Sequence, residues 1–272
     1  MVKLEEIRKY WENHTPGLQH SSHIVGSREF FDEITLERYQ DTFKYSYLPD
    51  VAEFGQHIGE DVLEIGVGMG TDLLQFAKSG SNVFGIDLTS AAVELTRARF
   101  KQEGLKADIR QANFTEIPFD TGSFDVVYCF GVLHHSEETE QGISEIYRVL
   151  KPGGLAITML YHKGFKYYIR KLLLYGILKG EFLQYNAREI VSRHSEDFGN
   201  SPLTKVYSRN DAKHMFSMFD SLSITCHRID DYIRIGNRHI SPLQSILPRR
   251  AYQISENLFG WNMVIKSYKP LY

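Results

Sequence analysis

Cysteine is almost missing from this 272-residue sequence: Cys129 and Cys226 are the two present. A disulfide framework or a four-cysteine zinc site needs more thiols than that, so both are excluded and a reducing, cytoplasmic setting is expected. No unbroken apolar run of about 18 residues occurs, which excludes an ordinary membrane-spanning helix. Charge of one sign is not in excess either. The 31 Lys and Arg against 34 Asp and Glu leave a formal charge of −3, whereas general nucleic-acid binding rests on clustered positive charge. There is no fixed-period repeat and no low-complexity tract. The opening Met1-Val2-Lys3-Leu4-Glu5-Glu6 lacks the basic-then-apolar order of a secretory signal. What is present is a globular composition, 42% hydrophobic and 24% charged, with an aromatic content of 13% that stands out.

From Asp61 to Tyr161 apolar strand-like runs alternate with helical patterns, the signature of βαβ units around a parallel sheet. Strands are expected at 62–65, 82–86, 108–111, 125–130 and 155–160, and helices at 71–78, 90–103 and 136–150. Ser136 is expected to cap the last of these, with Glu137 and Glu138 at its positive end and Lys151-Pro152-Gly153-Gly154 closing it. Residues 1–60 carry weaker helical patterns broken by Pro16-Gly17 and Pro49. After Tyr161 come a basic, apolar helical stretch at 165–179, a polar loop from Arg188 to Thr204, a helix at 209–219 and two late strands, 222–227 and 262–266.

Asp61-Val62-Leu63-Glu64-Ile65-Gly66-Val67-Gly68-Met69-Gly70-Thr71-Asp72 reads as a strand entering a glycine turn and then a helix. Glycine lets the chain turn tightly and lets a ligand approach the main chain without meeting a Cβ. Asp87, at the end of the next strand, is placed to accept both hydrogen bonds of a ribose diol. A dinucleotide fingerprint has similar ingredients, but its third glycine would fall at position 71, where Thr stands. Glu64 is also unusual in such a strand and is better explained by a ligand that brings an ammonium group. Ribose, adenine and a zwitterionic amino-acid tail together meet these demands.

Val62-Leu63-Glu64-Ile65-Gly66-Val67-Gly68-Met69-Gly70 resembles the first motif of the class I S-adenosylmethionine-dependent methyltransferases. The resemblance continues in order. It takes in Gly85-Ile86-Asp87-Leu88-Thr89, Gln111-Ala112-Asn113-Phe114 with Ile117-Pro118-Phe119, Phe124 through His135, and Arg148-Val149-Leu150-Lys151-Pro152-Gly153-Gly154. Its nearest subgroup is the small-molecule one that includes the quinone C-methyltransferases. The resemblance implies an α/β, Rossmann-like sheet of seven strands, parallel except the last, with helices on both faces. It also implies a helical lid at 1–60, a methyltransferase domain at 61–272 and a cap insertion at 162–205.

The same resemblance implies S-adenosylmethionine as cofactor and S-adenosylhomocysteine as product. Gly66, Gly68 and Gly70 would shape the loop around the methionine part and Glu64 would lie near its ammonium. Asp87 would hold the ribose, Leu88 would pack on the adenine, Asn113 and Phe114 would meet the adenine edge, and Phe130 would pass the methionine tail. Asn113 stands where the family usually has Asp, and its amide oxygen can still accept a hydrogen bond. Blander roles compete: a helix-capping acid for Asp87, a salt bridge for Glu64, a turn residue for Asn113.

Methyl transfer from a sulfonium is an in-line displacement, so the protein aligns the acceptor, excludes water and in some cases removes a proton. His135, Tyr161 and His162, beyond the fourth and fifth strands, and His20 with His23 in the N-terminal segment are the candidates for that last role. His134-His135 is not read as a metal site, because adjacent side chains point apart and no further ligands stand at zinc spacing. The acceptor is expected to be a small aromatic or otherwise apolar molecule under residues 1–60 and 162–205. The stretch 165–179 fits a cap helix, with an anionic membrane surface or a dimer contact as alternatives. Arg234, Arg238, Arg249 and Arg250 fit solvated surface or an anionic acceptor. A nicotinamide dehydrogenase and a non-catalytic cofactor-binding module are the rival functions; the acceptor and the oligomeric state are left open.

Overall fold

A computed structural model describes residues 2–40, 47–164, 168–196, 198–229, 233–235, 238–240 and 246–272, with the main chain alone at 20, 40, 233–235 and 238–240. Its centre is a seven-stranded sheet in the order β3-β2-β1-β4-β5-β9-β6. The strands are β1 (Asp61–Ile65), β2 (Asn82–Asp87), β3 (Asp108–Gln111), β4 (Phe124–Phe130), β5 (Leu150–Tyr161), β6 (Asp220–His227) and β9 (Asn262–Tyr268). A separate two-stranded ribbon joins β7 (Ile233–Ile235) to β8 (Arg238–Ile240). β9 runs antiparallel to both β5 and β6, and the other neighbouring strands pair in parallel, as expected.

Successive side chains alternate between the faces of a strand, and each face has its own core. Leu63, Ile65, Val127 and Cys129 pack on one side against Ile143 and Ile146. Val62, Val126 and Tyr128 pack on the other against Leu73, Leu74 and Phe76. The second face also receives Glu64, which lies in register between Gly85 of β2 and Tyr128 of β4. A buried carboxylate among the apolar residues of β1, near the strand's carboxyl end, is the anomaly from which the site is built.

The helices are α1 (Leu4–Asn13), α2 (Arg28–Gln40), α3 (Leu48–Ala52), α4 (Thr71–Lys78), α5 (Ser90–Glu103), α6 (Thr139–Val149), α7 (Ala187–Ser195), α8 (Arg209–Met215) and α9 (Arg249–Phe259). A π-helix, Leu172–Leu178, lies within the basic stretch expected at 165–179, whose first three residues are outside the described ones. Among the described residues no helix is long and apolar enough to cross a membrane.

Three local expectations are corrected. α6 begins at Thr139, because Leu133–His135 first makes a buried 3-10 turn; Ser136 accepts from the Glu138 N–H at 3.1 Å instead of capping the helix. The polar loop expected from Arg188 contains α7, whose start is fixed by a reciprocal pair: the Asn186 side chain accepts from the Glu189 N–H, and the Glu189 carboxylate accepts from the Asn186 N–H. α8 stops at Met215, four residues short of the expected end, after a similar capping box between Ser208 and Asp211.

Candidate active site

A cavity of about 270 Å³ opens at the carboxyl ends of β1, β2 and β4, the edge at which parallel α/β sheets offer loops and helix N-termini to ligands. Glu64, Gly66, Gly68, Asp87, Leu88, Asn113, Phe114, Phe130 and His135 all line it. Gly70 does not; its left-handed turn starts α4 and packs on Thr96. Tyr161 and His162 are outside the lining as well. Only the main chain of His20 is described, in the 3-10 turn Leu18–His20, and its side chain lies outside the described residues, as do the side chains of Arg234 and Arg238.

The glycine turn works differently at each position. Gly66 has φ +78° and a Cβ there would overlap Val132, so the fold itself demands glycine. Gly68 has φ +53° and a Cβ there would meet nothing within 4 Å; its open flank faces the cavity. The Gly68 N–H donates to Asp87 Oδ2 at 3.1 Å, while Asp87 Oδ1 accepts from the Thr89 N–H at 2.9 Å and the Thr89 hydroxyl at 2.8 Å. Burial nevertheless raises the Asp87 pKa from its ordinary value against these hydrogen bonds.

Glu64 is 5% exposed, and its Oε2 has no hydrogen-bond partner among the described residues. Burial, reinforced by the nearby Asp72 carboxylate, pushes its pKa well up. Asp72, in the first turn of α4, is its opposite. It accepts from Arg38 through Nε at 2.6 Å and through Nη2, from Tyr39 at 2.5 Å and from Tyr128 at 2.9 Å. Burial works to raise the Asp72 pKa, but the Arg38 charge and these hydrogen bonds outweigh it and hold it below the usual range. Arg38 and Tyr39 come from α2, more than thirty residues before α4. Their convergence on Asp72 has no local sequence signal, and no motif in the sequence assigns Arg38, Tyr39, Asp72 or Tyr128 a role at the site.

The roof comes from the N-terminal segment, with Leu4, Ile7, Trp11 and Thr15 facing the cavity. Glu12 fastens α1 by accepting from the Ser90 and Ala91 N–H groups, at 3.1 and 2.9 Å, and from the Ser90 hydroxyl at 2.6 Å; this is the start of α5. A carboxylate there meets the unsatisfied N–H groups and the positive end of the helix. At its other side Tyr10 donates to the Gly199 carbonyl at 2.8 Å, so α1 spans from α5 to the segment after α7.

Of the two adjacent histidines, His135 faces the cavity and His134 is fully buried behind it against Tyr161, ring centroids 3.9 Å apart. Burial pushes the His134 pKa far down, and neither of its ring nitrogens has a partner among the described residues, so it is a neutral packing ring. His135 Nδ1 lies 2.9 Å from the Leu203 carbonyl, its Nε2 lies 3.7 Å from Glu196, and its ring meets Trp11 at 4.8 Å. Tyr161 donates to Glu196 at 3.4 Å. His162 Nδ1 lies 3.0 Å from the Gly260 carbonyl, and burial lowers its pKa. Asn113 accepts from the Thr115 N–H at 3.3 Å, making a turn while lining the cavity. Among the described residues no three His, Cys, Asp or Glu side chains come together as metal ligands.

A family profile described as a methyltransferase domain matches residues 63–158. A ubiquinone biosynthesis O-methyltransferase of Aromatoleum aromaticum is 31% identical over 169 residues, covering 55% of this chain and 72% of its own length. One of Rickettsia conorii is 27% identical over 186 residues, 66% of this chain and 62% of its own. For several curated relatives the chain spans less than two thirds of their length, between 28% and 62%. Among solved structures, magnesium protoporphyrin IX methyltransferase from Synechocystis, with bound S-adenosylhomocysteine, superposes at a TM-score of 0.60 over 98% of this chain and all of its own, with 13% identity. That likeness is one of fold.

Proposed function

This chain belongs to the class I S-adenosylmethionine-dependent methyltransferases, and we propose that its cavity binds S-adenosylmethionine and that the protein methylates a small aromatic or otherwise apolar acceptor. The observation that carries the proposal is the buried Glu64 carboxylate with an unpartnered oxygen, at a cavity where Gly68 leaves an open flank. A buried carboxylate oxygen without a partner is costly to keep, and a ligand ammonium would supply the partner that oxygen lacks. Asp87 would take the ribose hydroxyls, with Gly68 and Thr89 orienting its carboxylate, and Leu88, Asn113 and Phe114 would line the adenine. When bound, the cofactor supplies a methyl group made electrophilic by sulfonium. The chain's own work is to orient the acceptor and keep water out.

Leu4, Ile7 and Trp11 supply an apolar roof suited to an apolar acceptor. The names of two relatives, drawn from ubiquinone biosynthesis, agree with an aromatic one. Within this reading residues 1–60 form a lid and 162–205 a cap over a domain at 61–272. His135 is the candidate for receiving a proton from the acceptor, being the one histidine among those named in the sequence whose described side chain lines the cavity. The buried free thiols Cys129 and Cys226 support a cytoplasmic setting.

Titration calorimetry with S-adenosylhomocysteine and, in parallel, NAD tests the cofactor: saturable binding of the thioether and none of NAD is expected, and the reverse would overturn the assignment. Transfer of labelled methyl from the cofactor into an extract of small molecules tests the activity and identifies the acceptor.

A further inference from the structure

A stripe of large apolar side chains stands in solvent on the segment that leaves the end of β5. Leu173, Leu174, Ile177 and Leu178 on the π-helix, with Phe182 and Leu183 just after it, are all exposed, Leu178 at 79% and Leu183 at 90%. Their spacing by four and five residues keeps them together on a helix whose hydrogen bonds reach five residues ahead. The inner side is firmly held. Lys171 donates to the His194 carbonyl of α7, Tyr175 stacks on the His194 ring at 3.6 Å, and Phe182 packs on the buried Gly176. Lys171, Tyr175 and Gly176 therefore face the protein while Leu173, Leu174, Ile177 and Leu178 face out, the reverse of the apolar-inward pattern of an ordinary surface helix.

The charge around this face decides what it fits. From Lys163 to Leu183 the sequence holds five cations and one acid, Glu181, which is paired with His194, in a chain of net charge −3. Arg170 and Lys179 are exposed beside the stripe, and so is Lys163 ahead of it. The C-terminal end of α9 lies against Gly164, ahead of this segment, where a Cβ would fall 3.5 Å from the Phe259 carbonyl. An apolar face ringed by cations matches the boundary between headgroups and acyl chains of an anionic bilayer. A second copy of the chain would set the same cations against themselves across a two-fold interface.

We propose that the segment 168–183 seats the protein on an anionic lipid surface. The contact does not depend on the methyl-transfer reading. Docking there would bring the carboxyl edge of the sheet, where β5 ends and the cavity opens, toward the source of an apolar acceptor.

The test is co-sedimentation of the full chain with vesicles of phosphatidylcholine alone and with a one-third share of phosphatidylglycerol. Binding is expected to the anionic vesicles, weakly to the neutral ones, and to fall in 0.5 M salt. Arg170→Gln with Lys179→Gln should weaken it about 20–30-fold, each cation being worth about fivefold near such a surface, and Leu178→Gln with Leu183→Gln should weaken it at least tenfold. These exposed replacements should leave thermal unfolding and S-adenosylhomocysteine binding unchanged, which separates failure here from failure of the cofactor assignment. Equal pelleting with both vesicle types, no pelleting, or wild-type pelleting of both variants would overturn the proposal. So would a concentration-dependent dimer that is lost in the leucine variant while vesicles fail to bind.

Discussion

The Asp87 carboxylate accepts a hydrogen bond from the Gly68 main chain at 3.1 Å, which ties the end of β2 to the open side of the glycine turn. One acid thus holds the loop and faces the cavity. Asp87→Ala should lower S-adenosylhomocysteine affinity about 10–100-fold by calorimetry, the range for losing charge-assisted hydrogen bonds. Asp87→Asn, which keeps one acceptor oxygen, should fall between. Undiminished binding in the Ala variant would remove Asp87 from the site.

Two glycines in the same turn should separate folding from binding. Gly66→Ala drives a methyl group into Val132, so its melting temperature should drop by several degrees. Gly68→Ala has free space and carries only the left-handed backbone cost of roughly 1–2 kcal/mol. It should stay folded and lose most of its thioether binding, since the added methyl occupies the ligand's approach. Thermal melts and calorimetry on both variants check this.

Glu64 should act on binding and on stability in opposite senses. Its folded pKa is raised, so the carboxyl takes up a proton on folding and destabilises the empty protein as pH rises above its unfolded value. Glu64→Gln should therefore melt higher than wild type at pH 7 in the absence of ligand, and bind S-adenosylhomocysteine at least tenfold more weakly. A ligand ammonium favours the ionised carboxylate, so binding should release protons and tighten with rising pH until Glu64 ionises unaided. Calorimetry in buffers of different ionisation enthalpy measures that release; proton uptake would contradict it.

Asp72 has the opposite sign. Its folded pKa is depressed by Arg38, so its contribution is present above the unfolded carboxylate value near 4 and is lost as pH falls through the folded one. Arg38→Leu leaves a buried carboxylate without its cation and should cost about 3–5 kcal/mol in denaturant unfolding. The acid limb of the stability profile should flatten in Arg38→Leu relative to wild type.

The roof and the histidines divide acceptor chemistry from cofactor binding. Trp11→Ala removes the ring over His135 and should reduce methylation of the acceptor more than thioether affinity. Once an acceptor is known that needs deprotonation, His135→Ala should lower kcat about 10²–10⁴-fold. His162→Ala should keep near wild-type kcat, since its side chain lies outside the cavity lining.

The order of strands and helices from β1 to β5, the glycine turn and Asp87 were legible because they are local. Alternation, turn chemistry and strand-end acids are set by residues adjacent in the chain, and Glu64 was conspicuous as a charge in an apolar strand. α7 was missed although Asn186 and Glu189 carry its start signal, because polar residues on its outer face hid the apolar positions Ile190 and Val191.

The sequence by itself determined the order of strands and helices from β1 to β5 and the glycine turn, for these follow from periodicity and from residues a few positions apart, while the seven-stranded sheet and the class of ligand were implied by the family resemblance. Only the tertiary structure decided which charges sit together. Arg38 and Tyr39 reach Asp72 across more than thirty residues, and Trp11 meets His135 across more than a hundred. It also decided that His135 rather than His162 faces the cavity, and that the leucines of the 168–183 segment point to solvent. Such pairings depend on how the chain closes its long loops, and their energies arise from burial, which no local pattern encodes.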